Sequence, residues 1–149
     1  MFLGIDPGRC KCGWALVFED GRLMASGIFE TSGAREFLGI MTDGDGEKAA
    51  AFALYGAKSL PSRFNVKEFL IGDGTGKDFF LSLAKELSLR VKLVPEKETT
   101  LKGRKLYWDY NPPAGFRRLI PQGLRVPPRD IDDFAALAIA REFLKSKQA

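Results

Sequence analysis

The residues of this chain best suited to chemistry are five carboxylates placed around the ends of apolar segments. Asp6 ends a first apolar run, Asp73 ends a fourth and Glu96 follows a fifth. Asp130 and Asp133 lie three residues apart in the first turn of the last predicted helix, and so on one face of it. Because strand carboxyl ends open onto a common crevice in an α/β sheet, we expect these acids to converge.

Such a group of acids suits a hard divalent cation. Carboxylates held close together raise each other's pKa unless positive charge neutralises them. Mg²⁺ and Mn²⁺ prefer oxygen ligands, and two such ions about 4 Å apart can activate a water and stabilise a leaving oxygen in phosphodiester cleavage. The chain has no histidine, which excludes Ser-His-Asp and Cys-His triads and a His general base. The expected cofactor is therefore Mg²⁺ or Mn²⁺. Asp132, which does not share a helix face with Asp130 and Asp133, is expected to point away from the site.

Each acid also has a purely structural interpretation. Aspartates such as those at 130, 132 and 133 are favoured at helix N-termini through capping and the macrodipole. Asp73 suits a glycine-rich turn, and Glu96 suits exposed surface. Asp6 has no comparable packing reason, so the functional interpretation depends on the acids acting together.

The apolar pattern predicts the elements that position these acids. Strands are expected at residues 2–6, 13–19, 23–30, 68–72 and 90–94, the first three antiparallel and the last two parallel neighbours. Helices are expected within 34–64, with a break at 42–46, at 78–88 and at 130–147, whereas 96–128 is predicted to be a loop. A chain of 149 residues suits one domain, 1–149, of the α/β class: a mixed five-stranded sheet flanked by helices.

Residues 97–129 concentrate positive charge beside the acids. They contain eight Lys or Arg and two Asp or Glu, whereas the whole chain has a net charge of +4. Tyr107, Trp108, Tyr110 and Phe116 interleave with these cations, a mixture that suits phosphate neutralisation and base stacking. A solvated loop whose aromatic rings dock on the sheet is the alternative. The predicted nucleic-acid-binding residues are Lys97, Arg104, Lys105, Arg117, Arg118 and Arg125.

Three segments resemble the RuvC and YqgF nucleases. The motif FLGIDPG at 2–8, followed by GWA at 13–15, resembles their opening, and DIDDFAALA at 130–138 resembles their last helix. The segment PEKETT at 95–100 is similar to a YqgF segment in which Asp-Glu-Arg precedes a Thr pair, although Pro95 replaces the Asp and Glu98 intrudes before the Thr pair. The three segments occur in the family's order and span nearly the whole chain.

The resemblance implies an RNase H-like fold and a metal-dependent endonuclease. It implies Asp6, Glu96 and Asp133 as catalytic, metal-binding acids, and Asp130 matches an additional helix acid of the RuvC branch. Asp73 is an alternative to Glu96, since RuvC and RNase H place an acid at the end of the fourth strand. Glu98 is a further alternative.

The same resemblance implies structured nucleic acid as the partner. Similarity to YqgF favours RNA, in ribosomal RNA precursor processing, and similarity to RuvC favours a four-way (Holliday) DNA junction. RuvC relatives act as dimers on a twofold-symmetric junction, so a homodimer is one expected arrangement.

Two other interpretations stay open. One is a non-catalytic nucleic-acid-binding module that keeps the fold. The other is an actin-like sugar kinase, with GDGTG at 72–76 as a phosphate loop, although such enzymes use two domains of this kind. No segment approaches the roughly 20 apolar residues that span a bilayer, so we expect a cytoplasmic protein without a membrane partner.

Overall fold

A six-stranded mixed sheet forms the centre of the computed structural model, which describes residues 1–96, 99–121 and 124–148. Its strands are β1 (Phe2–Asp6), β2 (Lys11–Val17), β3 (Leu23–Glu30), β4 (Ala53–Tyr55), β5 (Glu68–Gly72) and β6 (Val91–Val94). The strand order is β4-β3-β2-β1-β5-β6. Pairing is antiparallel from β4 through β3 and β2 to β1, and it is parallel between β1 and β5 and between β5 and β6. The predicted α/β class and mixed sheet are confirmed, and the short edge strand β4 makes the sheet six-stranded rather than five-stranded.

Five α-helices accompany the sheet. They are α1 (Ala34–Asp43), α2 (Gly46–Ala50), α3 (Lys77–Glu86), α4 (Thr99–Tyr110) and α5 (Asp132–Gln148). The helical region predicted at 34–64 stops early, because Gly44 adopts a φ of 68° at the end of α1 and β4 follows α2. No helix within residues 1–96, 99–121 and 124–148 is both long and apolar enough to cross a membrane.

The prediction of a continuous loop over 96–128 is wrong, because α4 occupies its first half. The apolar signal of α4 is concentrated at its end, where Tyr107 and Trp108 are buried, and Gly103 one turn earlier is buried as well. A Cβ on Gly103 would lie 2.9 Å from the backbone nitrogen of Ala135, so α4 packs directly on α5 at this point. Packing between the two helices, more than helical periodicity, therefore accounts for α4.

Alternation along the strands divides the core between the two faces of the sheet. Leu3 and Ile5 of β1 pack on the side of α1 and α3, in a cluster with Phe37 and Phe80. Phe2 packs on the opposite side, in the cluster formed with α4 and α5. The sheet is consequently covered on both faces, and the carboxyl ends of β1, β5 and β6 emerge between two helical layers.

Two glycines of the sheet allow α5 to lie unusually close to it. A Cβ on Gly4 would lie 2.4 Å from the carbonyl oxygen of Ala136, and a Cβ on Gly13 would lie 1.9 Å from that of Asp132. Gly13 is also the register partner of Asp6. The start of α5 is therefore held against the strand position that faces the end of β1.

We expect Gly13→Ala to lower the free energy of unfolding by about 1–3 kcal/mol, because the added methyl group must displace the backbone of α5. Gly39→Ala, within α1 where a Cβ would meet nothing within 4 Å, is the matched control and should stabilise by about 0.5–1 kcal/mol. Urea unfolding of both variants measures the difference. Equal stability of the two variants would contradict the close packing of α5.

Candidate active site

The side chains of Asp6 and Glu96 meet at the carboxyl end of the parallel strands. Asp6 is the last residue of β1, and Glu96 follows the end of β6 by two residues. Glycines at the end of the intervening strand leave room for the Glu96 carboxylate: a Cβ on Gly72 would lie 2.2 Å from Oε1, and a Cβ on Gly74 would lie 2.7 Å from Oε2. Glu96 thus lies over the end of β5, close enough to Asp6 for each carboxyl group to influence the pKa of the other.

Burial and like charge perturb both carboxyl groups. Burial is the main cause that raises the pKa of Asp6 from 3.8 to about 7, and the charges of Glu96 and Asp132 add to it. Burial also raises the pKa of Glu96, with a contribution from Asp73, whereas interaction with the Asp6 carboxyl group lowers it. Oε1 of Glu96 is buried without a hydrogen-bond partner. The pair therefore lies in a place where negative charge is poorly compensated.

Asp132, the first residue of α5, is the third acid of this cluster. Its backbone lies against Gly13, and its charge contributes to the raised pKa of Asp6. Burial raises the pKa of Asp132 itself, while Lys11, whose Nζ lies 3.7 Å from Oδ2, lowers it. The prediction that Asp132 points elsewhere is wrong, because the helix begins at this residue rather than at Asp130.

Asp133, predicted as a catalytic metal ligand beside Asp6, is fully buried in an ion pair instead. Both terminal nitrogens of Arg129 donate to its carboxylate, at 2.9 and 3.1 Å, and the Ser26 hydroxyl donates to Oδ2 at 2.6 Å. The guanidinium of Arg129 also lies over the ring of Tyr107. All of these contacts hold Asp133 inside the protein, so the structure does not place it with Asp6 and Glu96.

The spacing of apolar residues in the sequence indicates that Asp133 is buried. It lies four residues before Leu137 and three before Ala136, both of which are fully buried. Residues at this spacing share one helix face, so Asp133 belongs to the apolar stripe of α5. Asp132, one residue earlier, is rotated off that stripe by about 100° and reaches the crevice.

The two remaining predicted ligands form ion pairs at the edge of the cluster. Asp130 is largely exposed and pairs with Lys11. Asp73 is exposed and pairs with Lys77 of α3, with Nζ and Oδ1 2.5 Å apart. Asp73 still contributes negative charge at Glu96, which keeps it a near neighbour of the site. Glu98, the third alternative for the site, lies outside the described residues.

The predicted nucleic-acid-binding residues differ in exposure and in the partners they have. Lys105, Arg117 and Arg118 are exposed. Arg125 is half-buried: its Nε donates to the carbonyls of Arg117 and Ile120, and its guanidinium lies over the Trp108 ring. Arg104 faces a cleft beside Asp132. Lys97 lies outside the described residues.

Most of the aromatic side chains expected to stack on bases belong to the core. Tyr107 and Trp108 are buried, and Tyr110 is half-buried with its hydroxyl 2.7 Å from a nitrogen of Arg141. Phe116 is 73% exposed and remains available for stacking. For three of the four aromatic residues, docking on the helices and sheet is the correct interpretation.

The cluster fits a divalent ion by the chemistry of its donors. Within the described residues, no three His, Cys, Asp or Glu side chains form a ready-made metal site. Mg²⁺ needs fewer protein ligands, since it commonly keeps several waters and takes one or two carboxylates together with phosphate oxygens. Asp6 and Glu96 meet that requirement, because both are oxygen donors and Oε1 of Glu96 has no hydrogen-bond donor.

Comparison with known proteins adds a likeness of fold. No protein-family model matches the chain, and no curated protein matches it. Among solved structures, the chain is similar to the Thermus thermophilus RuvC structure, with 19% sequence identity, 99% of this chain and 96% of that chain covered, and a TM-score of 0.46. This likeness identifies neither a family nor a reaction.

We expect Asp6→Asn to change how stability depends on pH in a metal-free, chelator-containing buffer. A folded-state pKa of about 7 against 3.8 means that Asp6 favours the folded state below pH 4, and that this contribution is lost as pH rises through 7. The free energy of unfolding of Asp6→Asn relative to wild type should therefore rise by roughly 2–4 kcal/mol between pH 4 and pH 8. Urea unfolding across that range measures it, and a flat difference would contradict the buried acid pair.

We expect Arg129→Met to lower the free energy of unfolding by about 3–5 kcal/mol, because it leaves the Asp133 carboxylate buried without its cation. The double variant Arg129→Met/Asp133→Leu should recover much of that loss. Arg22→Met, which removes the cation of the exposed pair with Asp20, is the control and should cost about 0–1 kcal/mol. Thermal or urea unfolding of the three variants measures this, and a small effect of Arg129→Met would mean that Asp133 is not sealed.

Proposed function

We propose that this chain is a divalent-metal-dependent endonuclease that hydrolyses phosphodiester bonds of structured nucleic acid. The observation that carries the proposal is the meeting of Asp6 and Glu96 at the carboxyl ends of β1 and β6, with Asp132 beside them. These acids come from three distant parts of the chain, and packing around Gly13, Gly72 and Gly74 favours their approach. A purely structural role gives no reason for burying Oε1 of Glu96 without a hydrogen-bond partner.

The three acids divide the expected work. Asp6 and Glu96 are the proposed ligands of Mg²⁺ or Mn²⁺, and Asp132 is the proposed third acid in place of Asp133. A divalent ion bound there would supply positive charge to the scissile phosphate and lower the pKa of an attacking water. Lys11, which pairs with Asp130 and lies 3.7 Å from Asp132, orients the helix acids at the edge of the site.

Nucleic acid is the proposed substrate because Arg104 shares a cleft with Asp132 and further cations are exposed nearby in the chain. These are Lys105 of α4, and Arg117 and Arg118 of the segment that leads into α5. Such charges neutralise phosphates without reading a sequence, so they suit a substrate recognised by shape. RNA is the substrate favoured by the segment at 95–100, and a four-way DNA junction is the second candidate.

The test uses a labelled ribosomal RNA precursor and a labelled four-way DNA junction, each incubated with Mn²⁺ or with chelator. Mn²⁺-dependent cleavage of one of them is expected. Asp6→Asn, Glu96→Gln and Asp132→Asn should each reduce the rate by at least about 100-fold, because each removes a carboxylate that would hold the metal ion. Asp20→Asn, at an exposed ion pair remote from β1's carboxyl end, is the matched control and should cleave like wild type.

Metal binding can be measured separately from cleavage, through thermal unfolding. Mn²⁺ should raise the midpoint of thermal unfolding of wild type and of Asp20→Asn, and it should leave Asp6→Asn nearly unchanged. Binding of both probes without cleavage in Mn²⁺ would favour the non-catalytic module instead. ATP binding in calorimetry would favour the kinase interpretation, against which the Glu96 carboxylate already occupies the space over Gly72 and Gly74.

A further inference from the structure

An open cleft of about 630 Å³ lies between α4 and the segment that precedes α5. Arg104 forms one wall, and Val126, Pro127 and Pro128 form part of the other. Asp132, whose charge contributes to the raised pKa of Asp6, is also among the lining residues. The cleft thus borders the proposed active site at Asp132 and has a cation in its lining.

The packing of α4 on α5 places Arg104 there. Gly103 lies against the backbone of Phe134 and Ala135, which brings the following residue alongside the start of α5. Nε of Arg104 is buried and has no hydrogen-bond partner. Within residues 1–96, 99–121 and 124–148, Arg104 also forms no ion pair with a carboxylate. A half-buried guanidinium without a partner is costly unless an anion binds to it.

The other charges of the cleft are already paired. Arg129 is committed to Asp133 through two hydrogen bonds. Asp130 pairs with Lys11, whose Nζ also lies 3.7 Å from Asp132. Among the described residues that line the cleft, Arg104 is therefore the side chain with unused donors, and its planar fork matches two oxygens of a phosphate.

We propose that this cleft is a phosphate subsite, in which Arg104 binds a backbone phosphate of the substrate strand next to the one that is cleaved. This inference rests on the proposed function for the identity of the strand. It assigns one position of contact, whereas the exposed Lys105, Arg117 and Arg118 contribute a diffuse charge. The apolar wall formed by Pro127 and Pro128 suits the sugar that adjoins the phosphate.

The experiment measures binding by fluorescence anisotropy in Ca²⁺, across a range of salt concentrations, with both the labelled RNA precursor and the labelled DNA junction. We expect Arg104→Gln to bind the cleaved substrate about tenfold more weakly than wild type. The slope of log affinity against log salt should fall in magnitude by about one. Arg104→Lys should restore the slope and only part of the affinity, because lysine lacks the fork.

Arg63→Gln is the matched control. Arg63 is exposed and lies two residues before Asn65, whose carbonyl accepts a hydrogen bond from the amino terminus at the opposite end of β1. It should bind like wild type, and all variants should unfold at the wild-type temperature. Unchanged affinity and slope in folded Arg104→Gln would overturn the subsite.

Replacing single phosphates of the substrate by uncharged linkages locates the phosphate that Arg104 contacts. Methylphosphonate groups are placed one at a time beside the mapped cleavage position, and one of them should weaken binding by wild type about tenfold. The same linkage should have no further effect in Arg104→Gln, because the contact is already lost. A linkage effect that persists in that variant would contradict the assignment.

Failure of the proposed function would look different. Absence of Mn²⁺-dependent cleavage by wild type, or cleavage that survives in Asp6→Asn, would overturn the nuclease while leaving the salt slopes interpretable. Normal slopes in Arg104→Gln together with cleavage that depends on Asp6 would overturn the subsite alone.

Discussion

The close approach of α5 to β1 and β2 is the constraint on which the rest of the candidate site depends. Gly4 and Gly13 lack side chains where the backbone carbonyls of Ala136 and Asp132 reach the sheet. Any larger residue would lift the helix and withdraw its first acid from Asp6. Glycine serves here through the absence of a Cβ, since neither position needs a positive φ. Helix packing and site geometry are thus two consequences of the same contact.

The ion pair of Arg129 with Asp133 fixes the rotation of α5 about its axis. A buried ion pair of this kind contributes little net stability, because desolvation of both groups offsets their attraction. Its geometric effect is larger: the bidentate contact and the Ser26 hydroxyl keep Asp133 on the buried face. Adjacent residues of a helix are about 100° apart, so holding Asp133 inside turns Asp132 towards the crevice. Asp133 therefore fixes the orientation of the helix, and its neighbour Asp132 faces the crevice, where it is available for chemistry.

The sequence predicts the sheet better than the site. Short apolar runs and the turn at Asp20-Gly21 are local signals, so the five main strands and the positions of Asp6 and Glu96 at strand ends follow from them. The three-residue strand β4 carries too short a pattern, and α4 depends on packing of Gly103 against α5. The prediction that Asp133 joins the site assumes that Asp130 is already helical, so that the i,i+3 spacing places both on one face, whereas the helix begins at Asp132. The spacing of Asp133 from Leu137 and Ala136 predicts that it lies on the buried face of the helix. Its contacts with Arg129 and Ser26 are tertiary, so the local sequence pattern does not predict them.

The distribution of lysines explains why the central acids remain poorly neutralised. Asp73 has Lys77 and Asp130 has Lys11, so each peripheral acid carries its own cation. Among the described residues, Asp6 and Glu96 have no such pair, and burial, together with neighbouring negative charge, raises the pKa of both carboxyl groups. A lysine placed there would satisfy the acids permanently and leave no positive charge for an incoming phosphate. Acids that lack a side-chain cation instead favour an exchangeable one, which binds carboxylates and phosphate oxygens at the same time.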